Sequence, residues 1–355
     1  CWNLLPIIDS DSFKMYNTTN VNSKNKFINI LSLGHLLKIL INTKKKNFFY
    51  FNNCGINLIA TIVDIIFYLK GGKKVLIRPT EHDLKIKYLD RIKQILNIDL
   101  LFFLRRILIF FFNQLSSKFL KMITPKPAII FVGNNFLYKK LNKIKTNVFK
   151  FNCPEYEKYY NTKIKKEKKY VVYIDQDIIR SFEQSITNVP KTILREEEYE
   201  KELSKTLRDI EKSKIFKQYP LKIAAHPRRR KKFNLSNKRP IFDQTFKLIS
   251  KAKVVIAHHS LAIKYAILFD KPIILLNAKK YFNSKGLAEV DFLKNNLNLI
   301  TLDISNDNKR MISKIKKVSP DKKKYKKFKD EYISFPNYEN KKRWKEISNK
   351  LKTLN

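Results

Sequence analysis

Glycine is scarce in this chain: six among 355 residues, at positions 34, 55, 71, 72, 133 and 286. Neither a GxGxxG nor a GxxxxGKS/T spacing can be built from them, so the dinucleotide fingerprint and the P-loop are both missing, and any phosphate must be held in another way. Cysteine is scarcer still. Cys1, Cys54 and Cys153 stand at wide, unmatched spacings that make neither a disulfide framework nor a metal knuckle, which points to a reducing compartment, the cytoplasm. Acidic side chains are few, with 31 Asp and Glu against 74 Lys and Arg and a formal net charge of +43. A membrane span needs ~20 apolar residues, and no such run occurs. The most apolar stretch, Leu100 to Phe112 (LLFFLRRILIFFF), is broken by Arg105 and Arg106. The first residue is Cys rather than Met, so further residues are expected to precede it.

What is present is enough for a large core. At 44% hydrophobic and 13% aromatic residues the composition excludes a disordered basic tail and a fibrous repeat. Domains of roughly 100–200 residues make two the expected number. Of the 74 basic residues 13 are arginine and 61 lysine, and Asn and Ile are also abundant. An AT-rich genome imposes that bias on exposed positions without any functional demand. The remainder of the charge is a preference for an anionic partner: nucleotide phosphates, anionic lipid or nucleic acid. Leu100 to Phe112 is either a buried helix or one lying in a membrane surface. In the second case Lys93, Lys118 and Lys121 meet the headgroups, and Phe102, Phe103 and Phe110 to Phe112 enter the acyl boundary.

Short apolar runs alternate with amphipathic segments. FINILSL (27–33), NFFYF (47–51), KVLIR (74–78) and AIIFVG (128–133) read as buried strands, with helices over 57–70 and 85–96. Residues 142–169 read as a connection. A second alternation follows: strands at 170–175, 221–225, 253–258, 272–276 and 298–302, with helices over 196–211, 242–250 and 260–268, and a last helix over 337–351. Continuous apolar strands separated by helices imply parallel sheets covered on both faces. The expected fold class is therefore α/β, with two Rossmann-like domains facing a cleft and the C-terminal helix returning to the first.

Three segments of the second half place polar groups at the C-terminal ends of apolar strands, where open α/β sheets bind ligands. In IAAHPRRR (223–230) the strand ends at His226 and Pro227 fixes the turn beside Arg228, Arg229 and Arg230. An imidazole backed by guanidinium groups suits a phosphodiester, although three solvated arginines after a turn histidine would look the same. In VVIAHHSLAIKYAILFDKPIILL (254–276) a strand stops at His258-His259, and Ser260 stands where a helix begins. There its hydroxyl is either part of an anion site or an ordinary cap, and the histidines either face the site or are packed imidazoles. In YIDQD (173–177), Asp175 and Asp177 could bind a divalent cation, or one could cap the loop while the other faces solvent. The second arrangement is the expected one, and no metal is assigned.

These residues together carry a resemblance. Asp175-Gln176 after the first strand of the second half, DIEK (209–212) ending a helix, KIAAHPRRR, and LISKAKVVIAHHSLAIKYAILFDKPIILL resemble bacterial surface-carbohydrate glycosyltransferases. The similar enzymes are capsule and lipopolysaccharide transferases related to sialyltransferases, which share a two-domain GT-B architecture. The resemblance covers residues 170–276. The first half matches in outline, through Gly55 and Asn57 before a helix, which become candidate acceptor-side residues.

The resemblance implies that His226, Arg228 and Ser260 contact the donor phosphate, with Asp175, Gln176, His258 and His259 as further donor-site candidates. His259-Ser260 stands where related sialyltransferases carry paired serines, and the acidic-acidic-Gly motif of their general base is not evident, so no catalytic base is assigned. It implies an acceptor-side domain at 1–160, a nucleotide-sugar domain at 161–335 and a return helix at 336–355. The expected activity is transfer of a sugar, sialic-acid-like or other, from a nucleotide sugar to a surface glycan or glycolipid. Cationic side chains would replace a metal, and no cofactor is expected. The expected location is cytoplasmic, peripheral to the inner face of the plasma membrane. The alternative classes are a basic nucleic-acid-binding protein and a non-catalytic membrane-surface scaffold. Against the first, basic residues are spread along the chain and no helix-turn-helix, RRM or zinc signature occurs.

Overall fold

The computed structural model describes residues 2–3, 28–29, 48–51, 58–79, 118–143, 147–162, 167–176, 178, 196–227, 235–282, 284–338 and 342–354. Strands β1 (Trp2–Asn3) and β2 (Ile28–Asn29) pair with each other in a two-stranded parallel sheet. The helix expected over 85–96 and the Leu100 to Phe112 segment lie outside the described residues. Among the described residues no helix is long and apolar enough to cross a membrane.

The first sheet is wholly parallel, in the order β3-β4-β5-β6. Its elements are β3 (Phe48–Phe51), α1 (Leu58–Leu69), β4 (Gly72–Arg78), β5 (Ile129–Val132), α2 (Asn135–Leu141) and β6 (Asn147–Lys150). Side chains alternate across β5 as the pleat requires. Ile129 and Phe131 join Val75 and Phe151 on one face, while Ile130 and Val132 join Leu137 and Leu141 on the other. Gly133 permits the close approach of β4 and β5 at their C-terminal ends, because a Cβ there would lie 2.0 Å from the Pro79 carbonyl oxygen. Asn134 then opens α2, its Oδ1 accepting from the Leu137 amide at 2.8 Å.

Strand β6 is a correction to the sequence reading, which has a connection at 142–169. Only four residues long and at the sheet edge, β6 has a half-exposed pattern that resembles a loop in composition. Helix α3 (Pro154–Asn161) follows.

The second sheet holds β7 (Tyr170–Ile174), β8 (Leu221–Ala224), β9 (Ala252–Ala257), β10 (Ile273–Asn277) and β11 (Ile300–Asp303). All five are parallel, in the order β8-β7-β9-β10-β11. Every residue of β7 and β10 is buried, which is why these strands read as unbroken apolar runs. Helices α4 (Glu196–Lys212), α5 (Thr245–Ser250), α6 (Ile263–Leu268), α7 (Ser284–Leu297), α8 (Lys309–Lys314) and α9 (Lys322–Phe328) surround the sheet. Helix α4 buries Tyr199, Leu203, Leu207 and Ile210 along one stripe. At the N-terminal edge, the buried Lys271 ammonium donates to the carbonyls of Glu167 (2.6 Å) and Ala252 (2.8 Å), tying the entries of β7 and β9 together.

A π-helical turn, Lys329–Ile333, continues α9 and carries the chain back toward the first sheet. Tyr332 there packs on Phe136 of α2, with ring centroids 5.5 Å apart, and the Cys153 thiol donates to the Ile333 carbonyl at 3.0 Å. Helix α10 (Arg343–Lys352) then returns to the first sheet, as the expected fold class requires. Its Ile347, 2% exposed, joins Val75, Ile129, Phe131 and Phe151, and Trp344 faces outward. Ile347→Ala should therefore lower thermal stability, on the scale of about 2–5 kcal/mol typical of emptied core positions. An unchanged melting temperature would mean that α10 is not docked as described.

Candidate functional site

In a parallel sheet every strand ends on the same edge, and a crevice opens where the strand order reverses. Here the chain moves outward from β7 to β8, then crosses back to β9 and continues to β10 and β11. The reversal therefore lies between β7 and β9. The loops leaving β7, β8 and β9 carry Asp175-Gln176, His226-Pro227 and His258-His259-Ser260, so the topology brings the expected residues of the second half to one edge.

Hydrogen bonds stitch these loops together. Asp175 is buried, and its Oδ2 accepts from the His226 amide at 3.2 Å, which joins the ends of β7 and β8. Gln176 Nε2 donates to the His259 carbonyl at 2.9 Å, spanning the reversal from β7 to β9. Asp175 thus caps the neighbouring loop, while Asp177 lies outside the described residues. Among the described residues no group of three His, Cys, Asp or Glu side chains is placed to hold a metal ion.

His258 points away from the edge. It is fully buried; its Nδ1–H donates to the Leu276 carbonyl at 2.9 Å and its Nε2 accepts from the Tyr199 hydroxyl at 3.1 Å. The carbonyl can only accept, so the neutral Nδ1–H tautomer is fixed and both ring nitrogens are used. As a donor-site candidate His258 is corrected to a core imidazole that braces the β9 end. Burial pushes its pKa down to about 4. His259 is pushed down to about 3, by burial first and then by the neighbouring His258 and Lys285. A neutral ring makes the 3.7 Å approach of Nε2 to Glu289 Oε2 a contact without ion pairing. Phe282 packs edge-on to the ring at 4.6 Å.

Ser260 does not open the helix directly. Its Oγ accepts from the Ala262 amide at 3.2 Å and its carbonyl from the Ile263 amide at 3.0 Å, so a tight turn precedes α6. The hydroxyl hydrogen stays available to donate. Among the other expected residues, Arg228, Gly55 and Asn57 lie outside the described residues.

One residue that the sequence reading does not single out belongs to this edge. Ile174 of β7 and Leu275 of β10 both pair with Ala257 of β9; Gln176 and His259 stand in the loops two residues beyond that pairing, joined by the Gln176–His259 hydrogen bond, and Asn277 ends β10. Gln176 Oε1, His259 Nδ1 and Asn277 Oδ1 are all buried and find no hydrogen-bond partner among the described residues. A buried acceptor left unmade costs about 1–3 kcal/mol. The legible signal was a single polar residue ending the apolar run IILLN.

No protein-family model matches the sequence, and no curated protein does. Among solved structures, the chain is distantly similar to the spinosyn forosaminyltransferase SpnP, with 11% identity, 70% of this chain and 62% of that one covered, and a TM-score of 0.34. The chain thus spans 62% of the length of SpnP. For MurG of Acinetobacter baumannii the identity is 10%, the coverage 76% and 90%, and the TM-score 0.33. For a protein named as a UDP-N-acetylglucosamine 2-epimerase from Listeria monocytogenes they are 8%, 94% and 86%, and 0.31. Likenesses this distant carry no argument about activity, which rests on the residues themselves.

His258, buried, and His259, largely enclosed, make stability depend on pH. Unfolded, each binds a proton near pH 6.5, whereas the folded rings resist protonation down to about 4 and about 3. The unfolded chain therefore holds more protons in this window. Stability is full above about pH 7 and is lost as pH falls from about 6.5 toward 4, by up to roughly 1.4 kcal/mol per unit for each ring. Urea unfolding at pH 7.5, 6 and 5 should show that decline, and His259→Gln should flatten it. A flat profile in the wild type, or an unaltered slope in the variant, would contradict the neutral assignment.

Proposed function

We propose that this protein is a glycosyltransferase of GT-B type that moves a sugar, sialic-acid-like or other, from a nucleotide-sugar donor to a surface glycan or glycolipid. The observation that carries the reading is the meeting of Asp175-Gln176, His226-Pro227 and His259-Ser260 at the strand-order reversal of a parallel sheet, where such sheets receive nucleotides. The resemblance of residues 170–276 to surface-carbohydrate transferases supports the same donor.

In this reading the acceptor hydroxyl loses its proton to a base on the enzyme as its oxygen attacks the anomeric carbon, and the bond from that carbon to the phosphate oxygen breaks. The growing negative charge on the nucleotide is met by the His226 imidazole and the Ser260 hydroxyl, with Arg228 as a further cation. Oriented donors of this kind stabilise a developing anion without reorganising. Cationic side chains would do here what a metal does elsewhere, so activity should survive chelators. His226→Ala and Ser260→Ala should each reduce transfer by about 10²-fold, the scale of losing one oriented donor, with little change in melting temperature. Near-normal transfer in both variants, tested with a panel of nucleotide sugars, would defeat the assignment.

Attachment to the inner membrane face through Leu100 to Phe112 belongs to the same reading. Arg105→Glu together with Arg106→Glu should weaken binding to anionic vesicles, at roughly 1 kcal/mol per basic residue. Unchanged vesicle binding would count against it.

A further inference from the structure

Phosphate oxygens at neutral pH accept hydrogen bonds and do not donate them, and the oxygen of a side-chain amide likewise only accepts. The C-terminal ends of β7 and β10 carry two such amide oxygens, Gln176 Oε1 and Asn277 Oδ1, both buried and without a partner among the described residues. That chemistry is wrong for the phosphate and right for a group carrying O–H or N–H. Asn277 is 8% exposed and ends a strand whose other residues are apolar, so nothing in the packing of β10 requires an amide there. The His259 ring, whose backbone carbonyl accepts from Gln176, has Nδ1 also unpartnered among the described residues. Gly286 of α7 leaves room for that ring, since a Cβ at this position would lie 3.1 Å from His259 Cε1. A neutral ring offers one more hydrogen bond and no charge.

We infer that Gln176, His259 and Asn277 form a subsite for the uncharged, hydrogen-bond-donating part of the ligand, separate from the phosphate contacts at His226 and Ser260. The inference rests on the nucleotide-sugar reading and names what each part of the crevice edge holds. Gln176 has two tasks in it. Its Nε2 fixes the β9 loop through the His259 carbonyl, which leaves Oε1 to face the ligand. A sugar ring presents hydroxyls to such acceptors and a nucleobase presents amino or imide N–H groups, so the shared chemistry is donation into two amide oxygens. Acceptors kept buried and unmade in the free protein cost stability, and binding recovers it.

Asn277→Leu separates this role from a structural one. The leucine fills a similar volume without an acceptor, so the free protein should melt at the same or a higher temperature. Affinity for a nucleoside diphosphate, measured by calorimetry with CDP, UDP, GDP and ADP, should fall about 10-fold, the scale of one hydrogen bond. Affinity for pyrophosphate alone should not change. Asn277→Ala should show the same selective loss. Ribose 5-phosphate distinguishes the sources: a parallel loss assigns the subsite to sugar hydroxyls, and a loss confined to nucleotides assigns it to the base. A lower melting temperature in Asn277→Leu, or unaltered nucleotide affinity in both variants, would overturn the subsite alone. Failure of the wild type to bind any of the four nucleotides would overturn the proposed function and the subsite with it.

Discussion

Parallel strands end together, and in this protein that geometric rule assembles everything of chemical interest. Three loops far apart in sequence, leaving β7, β8 and β9, arrive at one edge because no strand of the second sheet runs the other way. The order reverses between β7 and β9, the place where open α/β sheets receive ligands. Asp175 and Gln176 hold the three loop ends in mutual register by two hydrogen bonds, one to each neighbour. Beneath them His258, locked between Tyr199 and Leu276, gives the edge a rigid floor. The polar groups at the edge are thus positioned by buried ones, as precise recognition of a small ligand needs.

The expected strands of the second half were legible because burial on both faces leaves no room for polar interruption. Tyr170 to Ile174 and Ile273 to Leu276 read directly as strands for that reason. Edge elements obey a weaker rule. Among the described residues strand β6 has a neighbour on one side, β5, so its sequence NVFK needs little apolar content. Helix α7 went unread between two strands although Val290, Leu293 and Leu297 carry a helical stripe, because Gly286 and the pair Asn295-Asn296 disguise it. That glycine has a packing reason, the His259 ring.

The candidate site was legible in part. A polar residue ending an apolar strand made His226, His259 and Ser260 candidates, but the same signal could not separate His258, whose ring is buried with both nitrogens hydrogen-bonded. The two adjacent histidines follow the end of β9 and both rings pack on Phe282, and sequence alone does not say that His258 is the one with both ring nitrogens taken up in the core. Asn277 went unread because the neighbouring strand ends come from other segments, and register across a sheet is invisible in one segment. The large positive charge carries less of the argument than its size suggests, since the residues that define the edge are amides, imidazoles and a hydroxyl.

Backbone amide hydrogen exchange with and without a saturating nucleoside diphosphate tests the central claim directly, because it reports where the ligand sits without assuming what the enzyme does. Added protection should concentrate at 175–176, 226–227, 258–262 and 276–278, the C-terminal ends of β7, β8, β9 and β10. Protection centred instead on the cavity of about 430 Å³ lined by Tyr138, Phe149, Tyr338 and Lys350, with these strand ends unaffected, would contradict the assignment of the crevice edge as the donor site.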